Sequence, residues 1–288
     1  MANYRTLPFA TYDLAVYLPG GAVLLLVAHN LFATVVGGQL MPGQTFPAET
    51  TINSATQIVL WLSASYLVGH LGAFLSTYTV ERFIHNALGF PSDVWLEKEE
   101  RTQSGVGRRE ALKSIFQENI RSFRWSWSAG LSFLFQFPLW IFYIIFAAVL
   151  PIGFYIPKLP DGLLPDVRKV FDQIGSSIEL KKETRWEKII EHYVSNHYPP
   201  AYSRMYNYLV IYGALRLLSF ILLLSCWLII IKSGIALCSG NWEWSMRRSV
   251  LLGACATSSF LSMMAFAKFN RRYFEETILA LLFSPKNG

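Results

Sequence analysis

Five long apolar stretches, each nearly free of charged residues, constrain this chain more than any other feature of its sequence. A hydrocarbon core about 30 Å thick is crossed by about 20 residues of α-helix, at about 1.5 Å per residue. A water-soluble domain cannot cover so many runs of this length. We therefore predict an all-α, polytopic helical membrane protein. The stretches comprise residues 14–36, 57–79, 129–156, 208–231 and 249–267.

The composition agrees with a lipid environment. Only 15% of the 288 residues are charged and 53% are hydrophobic, whereas about 25% of residues are charged in ordinary soluble domains. A formal net charge of +6 is typical of membrane proteins that keep Lys and Arg on the cytoplasmic side. The basic residues do not cluster along one face, so no nucleic-acid partner is predicted.

Signatures of catalysis and metal binding are missing from the sequence. The three cysteines lack metal-ligand spacing and lie in or between the last two apolar runs. His192 and His197 are five residues apart, which places them about 140° apart around a helix, too far to share a metal. We predict no metal and no cofactor, and an enzyme is the less favoured class.

Polar and apolar segments alternate along the chain and predict its organisation. The polar segments between the apolar runs are expected to contain short helices and to form a cytoplasmic layer. The predicted parts are two transmembrane helices (1–85), a cytoplasmic helical segment (86–128), the third apolar segment (129–156), a second polar helical segment (157–207), and two transmembrane helices with an amphipathic tail (208–288).

The distribution of Lys and Arg bears on membrane topology. Five full crossings from a cytoplasmic N-terminus would leave 12 basic residues on each side of the membrane. If the third apolar segment enters and leaves by one face, 21 lie inside and 3 outside. The positive-inside rule favours this second model, with four crossings and a cytoplasmic N-terminus.

Prolines within the third apolar segment are compatible with both models. Pro138 and Pro151 allow a re-entrant hairpin, provided that protein covers its exposed backbone. They equally allow a kinked helix that spans the bilayer. The segment is therefore predicted either to re-enter or to span.

Two histidines lie within predicted crossings. His70 is near the middle of the second crossing and His29 is in the first. Ionisable groups inside a membrane are costly and tend to face the bundle or water, and histidine changes its charge near neutral pH. A hydrogen-bonded packing role and a pore-lining or proton-sensing role both remain open for His70.

Arg216 interrupts the fourth crossing. One interpretation has it snorkel to the membrane surface, opposite Lys232. The alternative pairs it with Glu81 or Asp13 inside the bundle, or with a lipid phosphate. Glu81 and Arg82, at the end of the second crossing, could form an interfacial charge pair of their own.

Small residues at four-residue spacing predict close contacts between helices. Such rows serve either contacts within one chain or an interface between subunits. One row lies on the second crossing (Ser65, Gly69 and Ala73) and another on the last (Ala254, Ser258 and Ser262).

Three motifs within the first ninety or so residues resemble those of bacterial multi-pass membrane proteins of undetermined activity. They are TYDLAVYLPGGAVLL, YLVGHLGAFLS and VERFIHNALGFPS. The resemblance implies a multi-pass membrane fold and carries no catalytic residue over to this chain.

The leading hypothesis for function is a gated pore or membrane-perturbing effector of the bacterial inner membrane, self-associating, with His70 beside the small-residue row. A membrane anchor or scaffold that recruits a soluble cytoplasmic partner is the first alternative. A lipid-modifying enzyme that uses His70, Glu81 and Arg82 is the second.

Overall fold

The computed structural model describes residues 12–36, 54–84, 134–149, 166, 169–170, 186–240 and 246–283. Nearly all of these residues are helical, and none of them forms a strand. The all-α prediction is therefore confirmed for the described part of the chain.

Six helices make up this part of the chain, and each of the first two adjoins one turn of π-helix. They are α1 (Leu18–Val36) with a preceding π-turn (Asp13–Tyr17), α2 (Ser54–Ser76) with a following π-turn (Thr77–Glu81), α3 (Phe137–Val149), α4 (Trp186–His197), α5 (Pro199–Cys238) and α6 (Met246–Phe283).

Among the described residues, four helical segments are long and apolar enough to cross a membrane, so the chain is a helical multi-pass membrane protein. Three of them contain a predicted stretch in full and the first overlaps the stretch 14–36, which confirms four of the five apolar stretches as membrane-spanning candidates. The segments are Asp13–Asn30, Ala55–Ile84, Pro199–Cys238 and Met246–Leu282.

Helices α5 and α6 are much longer than the sequence pattern predicts. They have 40 and 38 residues, or about 60 Å at about 1.5 Å per residue, twice the hydrocarbon thickness. Part of each helix must therefore extend beyond the bilayer. The additional residues are polar or amphipathic, so hydrophobicity alone does not reveal that the helices continue through them.

Within the third apolar segment the structure describes one helix. This helix, α3, has 13 described residues, or about 20 Å of helix. Pro138 occupies the first turn of α3. Amide hydrogens in the first turn have no partner within the helix, so the missing amide hydrogen of proline costs no helix hydrogen bond there. Pro151 and the ends of the 129–156 segment lie outside the described residues.

The chain divides into two compact units, and α5 and α6 each contribute to both. Unit 1 holds the ranges Met1–Phe83, Arg121–Ile152 and Gly213–Ala265, and unit 2 holds Ile84–Ile120, Gly153–Tyr212 and Phe266–Gly288. The predicted segment 86–128, and most of 157–207 before α4, lie outside the described residues.

Unit 2 has its own small apolar core. Its largest fully buried side chains come from α4, from the beginning of α5 and from the end of α6, and polar positions of α4 such as His192 and Asn196 are exposed. Burial of this amphipathic face accounts for a helix at 186–197, within the predicted helical region. The core comprises Ile190, Val194, Ala201, Met205 and Leu281.

Candidate functional site

Helices α1 and α2 make backbone contact in unit 1 through glycine. A Cβ atom built on Gly21 would lie 1.7 Å from the Ser65 carbonyl oxygen, and one on Gly69 would lie 2.0 Å from the Tyr17 carbonyl oxygen. Larger residues at either position would force the helices apart. The predicted row Ser65, Gly69 and Ala73 is buried, and two of its members form this contact.

An ionisable cluster lies beside the contact. The His70 ring lies between two tyrosine rings, with centroid distances of 4.1 Å to Tyr17 and 4.5 Å to Tyr66. The Tyr66 hydroxyl donates a hydrogen bond to Asp13 Oδ2 at 3.3 Å. The structure thus brings an imidazole, a phenol and a carboxylate together within a pair of apolar helices.

His29 does not belong to this cluster. It lies on α1 eight residues after Gly21, about 12 Å farther along the helix axis. It is half-buried, and its intramembrane role stays a prediction.

An ion pair joins α2 and α5. The Arg216 guanidinium donates a hydrogen bond from Nη1 to Glu81 Oε2. The Arg216 side chain is 13% exposed and the Glu81 side chain is 24% exposed. The structure thus shows the pairing with Glu81 that the sequence left as an alternative to snorkelling. Arg82 is exposed, whereas its neighbour Glu81 has Arg216 as its partner.

One polar atom of this pair is buried and lacks an acceptor. Arg216 Nε has no hydrogen-bond partner among the described residues. A buried unsatisfied donor costs about 1–3 kcal/mol. The guanidinium is therefore held by its contact with Glu81 and by packing rather than by a full set of hydrogen bonds.

The π-turn of α1 contains Asp13 and Tyr17, and its cause is visible in the sequence. Pro19 follows it by two residues. Proline has no amide hydrogen, and its ring conflicts with the carbonyl group four residues earlier. A wider turn relieves that conflict, and π-turns of this kind are frequent at functional sites.

The π-turn of α2 contains Glu81, and hydroxyl residues lie directly before it and within it. Ser76 and Thr77 both donate to the Ala73 carbonyl oxygen, at 2.7 and 3.2 Å, and Thr79 donates to Leu75 O at 2.9 Å. Hydroxyl groups that bond to these carbonyls compete with the helix amides and bend helices. Both π-turns thus carry residues of the ionisable cluster or of the ion pair.

Helix α3 is anchored at its beginning by side-chain hydrogen bonds. Gln136 Nε2 donates to Thr79 O at 2.8 Å, and Trp227 Nε1 donates to Phe135 O at 2.9 Å. Neither contact could be predicted from the sequence, because both join residues that are more than fifty positions apart. Gln136 is almost fully buried, so this bond satisfies a polar group inside the unit.

Helices α5 and α6 pack through a different small residue from those predicted. Ser219 Oγ donates to Ser259 O at 2.9 Å, and Ser259 Oγ donates to Ser219 O at 2.8 Å. Both serines are fully buried. In contrast, Ala254 and Ser258 are exposed and Ser262 is half-buried. The predicted row on α6 therefore faces outward over most of its length, and an interface between subunits stays a prediction for it.

Unit 2 contains a second group of charged and aromatic residues. Arg204 on α5 pairs with Glu276 on α6, and α4 packs with both of these helices in the apolar core of the unit. On α4, burial and then the neighbouring Tyr198 hydroxyl raise the pKa of Tyr193 above its ordinary value. These contacts fasten three helices to one another.

The hypothesis of a lipid-modifying enzyme rests on His70, Glu81 and Arg82 and stays a prediction. His70 and Glu81 are eleven residues apart on α2, about 16 Å along the axis. Within the described ranges, no three His, Cys, Asp or Glu residues are placed to hold a metal ion.

Comparisons with protein-family models, with curated proteins and with solved structures find no match. The function of this chain is therefore argued from its own geometry.

Proposed function

We propose that the protein is a self-associating membrane protein that conducts ions through a gated path, with its gate at the contact between α1 and α2. The cluster of Asp13, Tyr66 and His70 carries this proposal. Polar and ionisable residues inside membranes are costly, by about 2.5–3.5 kcal/mol for a charged side chain on insertion scales, and usually mark ion or proton pathways. The proposed location is the bacterial inner membrane, with the N-terminus in the cytoplasm.

The tightness of the α1–α2 contact supports a gated path rather than a permanently open one. At Gly21 and Gly69 the two backbones touch, so no water column fits between the helices there. Conduction past His70 would require α1 to move away from α2. The adjoining π-turns offer a place for such movement, because their hydrogen bonds are less regular than those of an α-helix.

Protonation of His70 is the proposed trigger. The groups around the imidazole are the rings of Tyr17 and Tyr66 and, through the Tyr66 hydroxyl, the Asp13 carboxylate. An aromatic face attracts a cation by about 0.5–2 kcal/mol. A charged imidazole would therefore be attracted to both tyrosine rings and to the Asp13 carboxylate. This attraction would change the packing of α1 on α2.

Ion flux in proteoliposomes tests the proposal. In wild-type proteoliposomes, the fluorescence of a trapped pH-sensitive dye should change when the external pH falls from about 8 to about 5.5. The His70→Leu variant should lose this pH response. The matched control is His192→Leu, which removes an exposed histidine of α4 and should behave as wild type.

Two outcomes would contradict the proposal. The pore idea is removed if the wild-type chain shows no flux at any pH or voltage. If flux is present but His70→Leu leaves its pH response unchanged, the gate lies elsewhere. Chemical crosslinking of the same preparations reports whether the conducting form is an oligomer.

A scaffold that recruits a soluble partner is the second candidate, favoured by unit 2. This unit has an apolar core of its own and an ion pair between α5 and α6, which crossing a bilayer does not require. Partner binding that survives in His70→Leu, in the absence of any flux by the wild type, would favour the scaffold.

A further inference from the structure

Helix α3 runs in the same direction as the end of α2. Gln136 at the beginning of α3 donates to Thr79 of α2. Farther along both helices, the Phe83 ring lies 4.7 Å from the Trp140 ring and 5.9 Å from the Tyr143 ring, between centroids. Later residues of α3 therefore lie beside later residues at the end of α2, so the two helices are parallel there.

This direction conflicts with a simple series of crossings. A helix that leaves the membrane at one face must be followed by one that starts at that face and runs the opposite way. The third apolar segment is the next long apolar run after α2, and residues 85–128 contain no other run long enough to cross. A third full crossing would therefore be antiparallel to α2, whereas α3 is parallel to its end.

The set of segments that form unit 2 also conflicts with five full crossings. Ile84, the last described residue after α2, belongs to the same compact unit as α4. Five full crossings would instead place the end of α2 and the polar segment that contains α4 on opposite faces of the membrane.

We infer that the third apolar segment, 129–156, enters and leaves the bilayer through the face at which α2 ends. The segments 86–128 and 157–207, together with the C-terminal tail, then share this face. Of the basic residues outside the apolar runs, 21 then lie on one side and 3 on the other, as the positive-inside rule requires.

Single-cysteine labelling with a membrane-impermeant maleimide tests the inference in sealed vesicles of both orientations. The background replaces Cys226, Cys238 and Cys255 by alanine. Reporter cysteines replace one residue in each segment that joins the apolar runs and one in the tail: Gln44, Ser104, Ser177, Ser239 and Ser284.

Reporters at 104, 177 and 284 should label from one face, and those at 44 and 239 from the other. The comparison of 104 with 177 is decisive, because five full crossings place them on opposite faces. Labelling of 177 from the face that labels 44 overturns the inference.

A second background protects the test against misfolding. It replaces only Cys238, which is exposed, and keeps the buried Cys226 and the half-buried Cys255. This result is independent of the proposed function, because the labelling pattern does not depend on whether the protein conducts ions.

Discussion

Arg216 on α5 donates a hydrogen bond to Glu81 at the end of α2, although 135 residues separate them in the sequence. Solvent screens a partly buried pair less than an exposed one, and either charge alone would be costly inside a bilayer. The pair therefore fixes α5 against the α1–α2 hairpin at a place where hydrophobic packing alone would allow sliding.

The variant Glu81→Gln should destabilise the protein, because it leaves the Arg216 charge uncompensated. Breaking a buried pair costs about 3–5 kcal/mol, and partial exposure reduces the expected loss here to about 2 kcal/mol. The measurement is the free energy of unfolding in mixed detergent micelles. The control Arg82→Gln alters the exposed neighbour and should change stability little, and equal effects of the two variants would show that the pair is not structural.

The double variant Glu81→Leu with Arg216→Leu should be more stable than Glu81→Leu alone. Replacing a complete buried ion pair by apolar side chains is often neutral or stabilising. The same unfolding assay measures the coupling between the two positions. Additive losses in the double variant would contradict a direct interaction.

The variant Gly69→Ala should weaken the α1–α2 contact. The new methyl group would lie 2.0 Å from the Tyr17 carbonyl oxygen, and overpacking against fixed atoms typically costs about 1–3 kcal/mol. Gly234→Ala on α5 is the matched control, since no atom lies within 4 Å of its Cβ position. It should gain up to about 1 kcal/mol from helix propensity. Equal unfolding free energies for both variants would rule out the close contact.

The serine pair between α5 and α6 should be coupled. Ser219→Ala and Ser259→Ala each remove part of a reciprocal pair of hydrogen bonds, and such bonds in membrane proteins average about 0.6 kcal/mol, with a maximum near about 1.7 kcal/mol. The double variant should lose less than the sum of the single losses, because each single variant already removes the 3.2 Å contact between the two hydroxyl oxygens. Ser258→Ala, at an exposed position next to Ser259, should leave the unfolding free energy unchanged.

The crossings themselves could be predicted because hydrophobic length is a local property of the sequence. The ends of α5 and α6 could not be predicted in the same way. Residues 199–207 and 268–283 are amphipathic, and whether they continue a helix depends on what covers their apolar face. In the structure that cover comes from α4, through contacts such as those of Met205 with Ile190 and Val194.

The site was only partly visible in the sequence for a similar reason. His70, Glu81 and Arg216 stood out as ionisable residues in or beside apolar runs, but their partners lie on other helices. Nothing in the sequence links Tyr17 to His70, because the two residues belong to different helices and meet only in the folded chain. On α6, Ser258 and Ser259 are adjacent and equally small, and only the position of Ser219 decides which of them is buried.

Helix α4 has 12 described residues, and isolated helices shorter than about 12–15 residues are only marginally stable in water. It should therefore depend on its core contacts with α6. Leu281 keeps 7% exposure whereas Leu279, two residues earlier, keeps 42%. Leu281→Ala should cost about 2–5 kcal/mol and accelerate amide hydrogen exchange in α4 by about 30-fold or more. Leu279→Ala should leave that exchange unchanged, because its side chain lies outside the core. Exchange in α4 that responds equally to both variants would show that α4 does not rely on the end of α6.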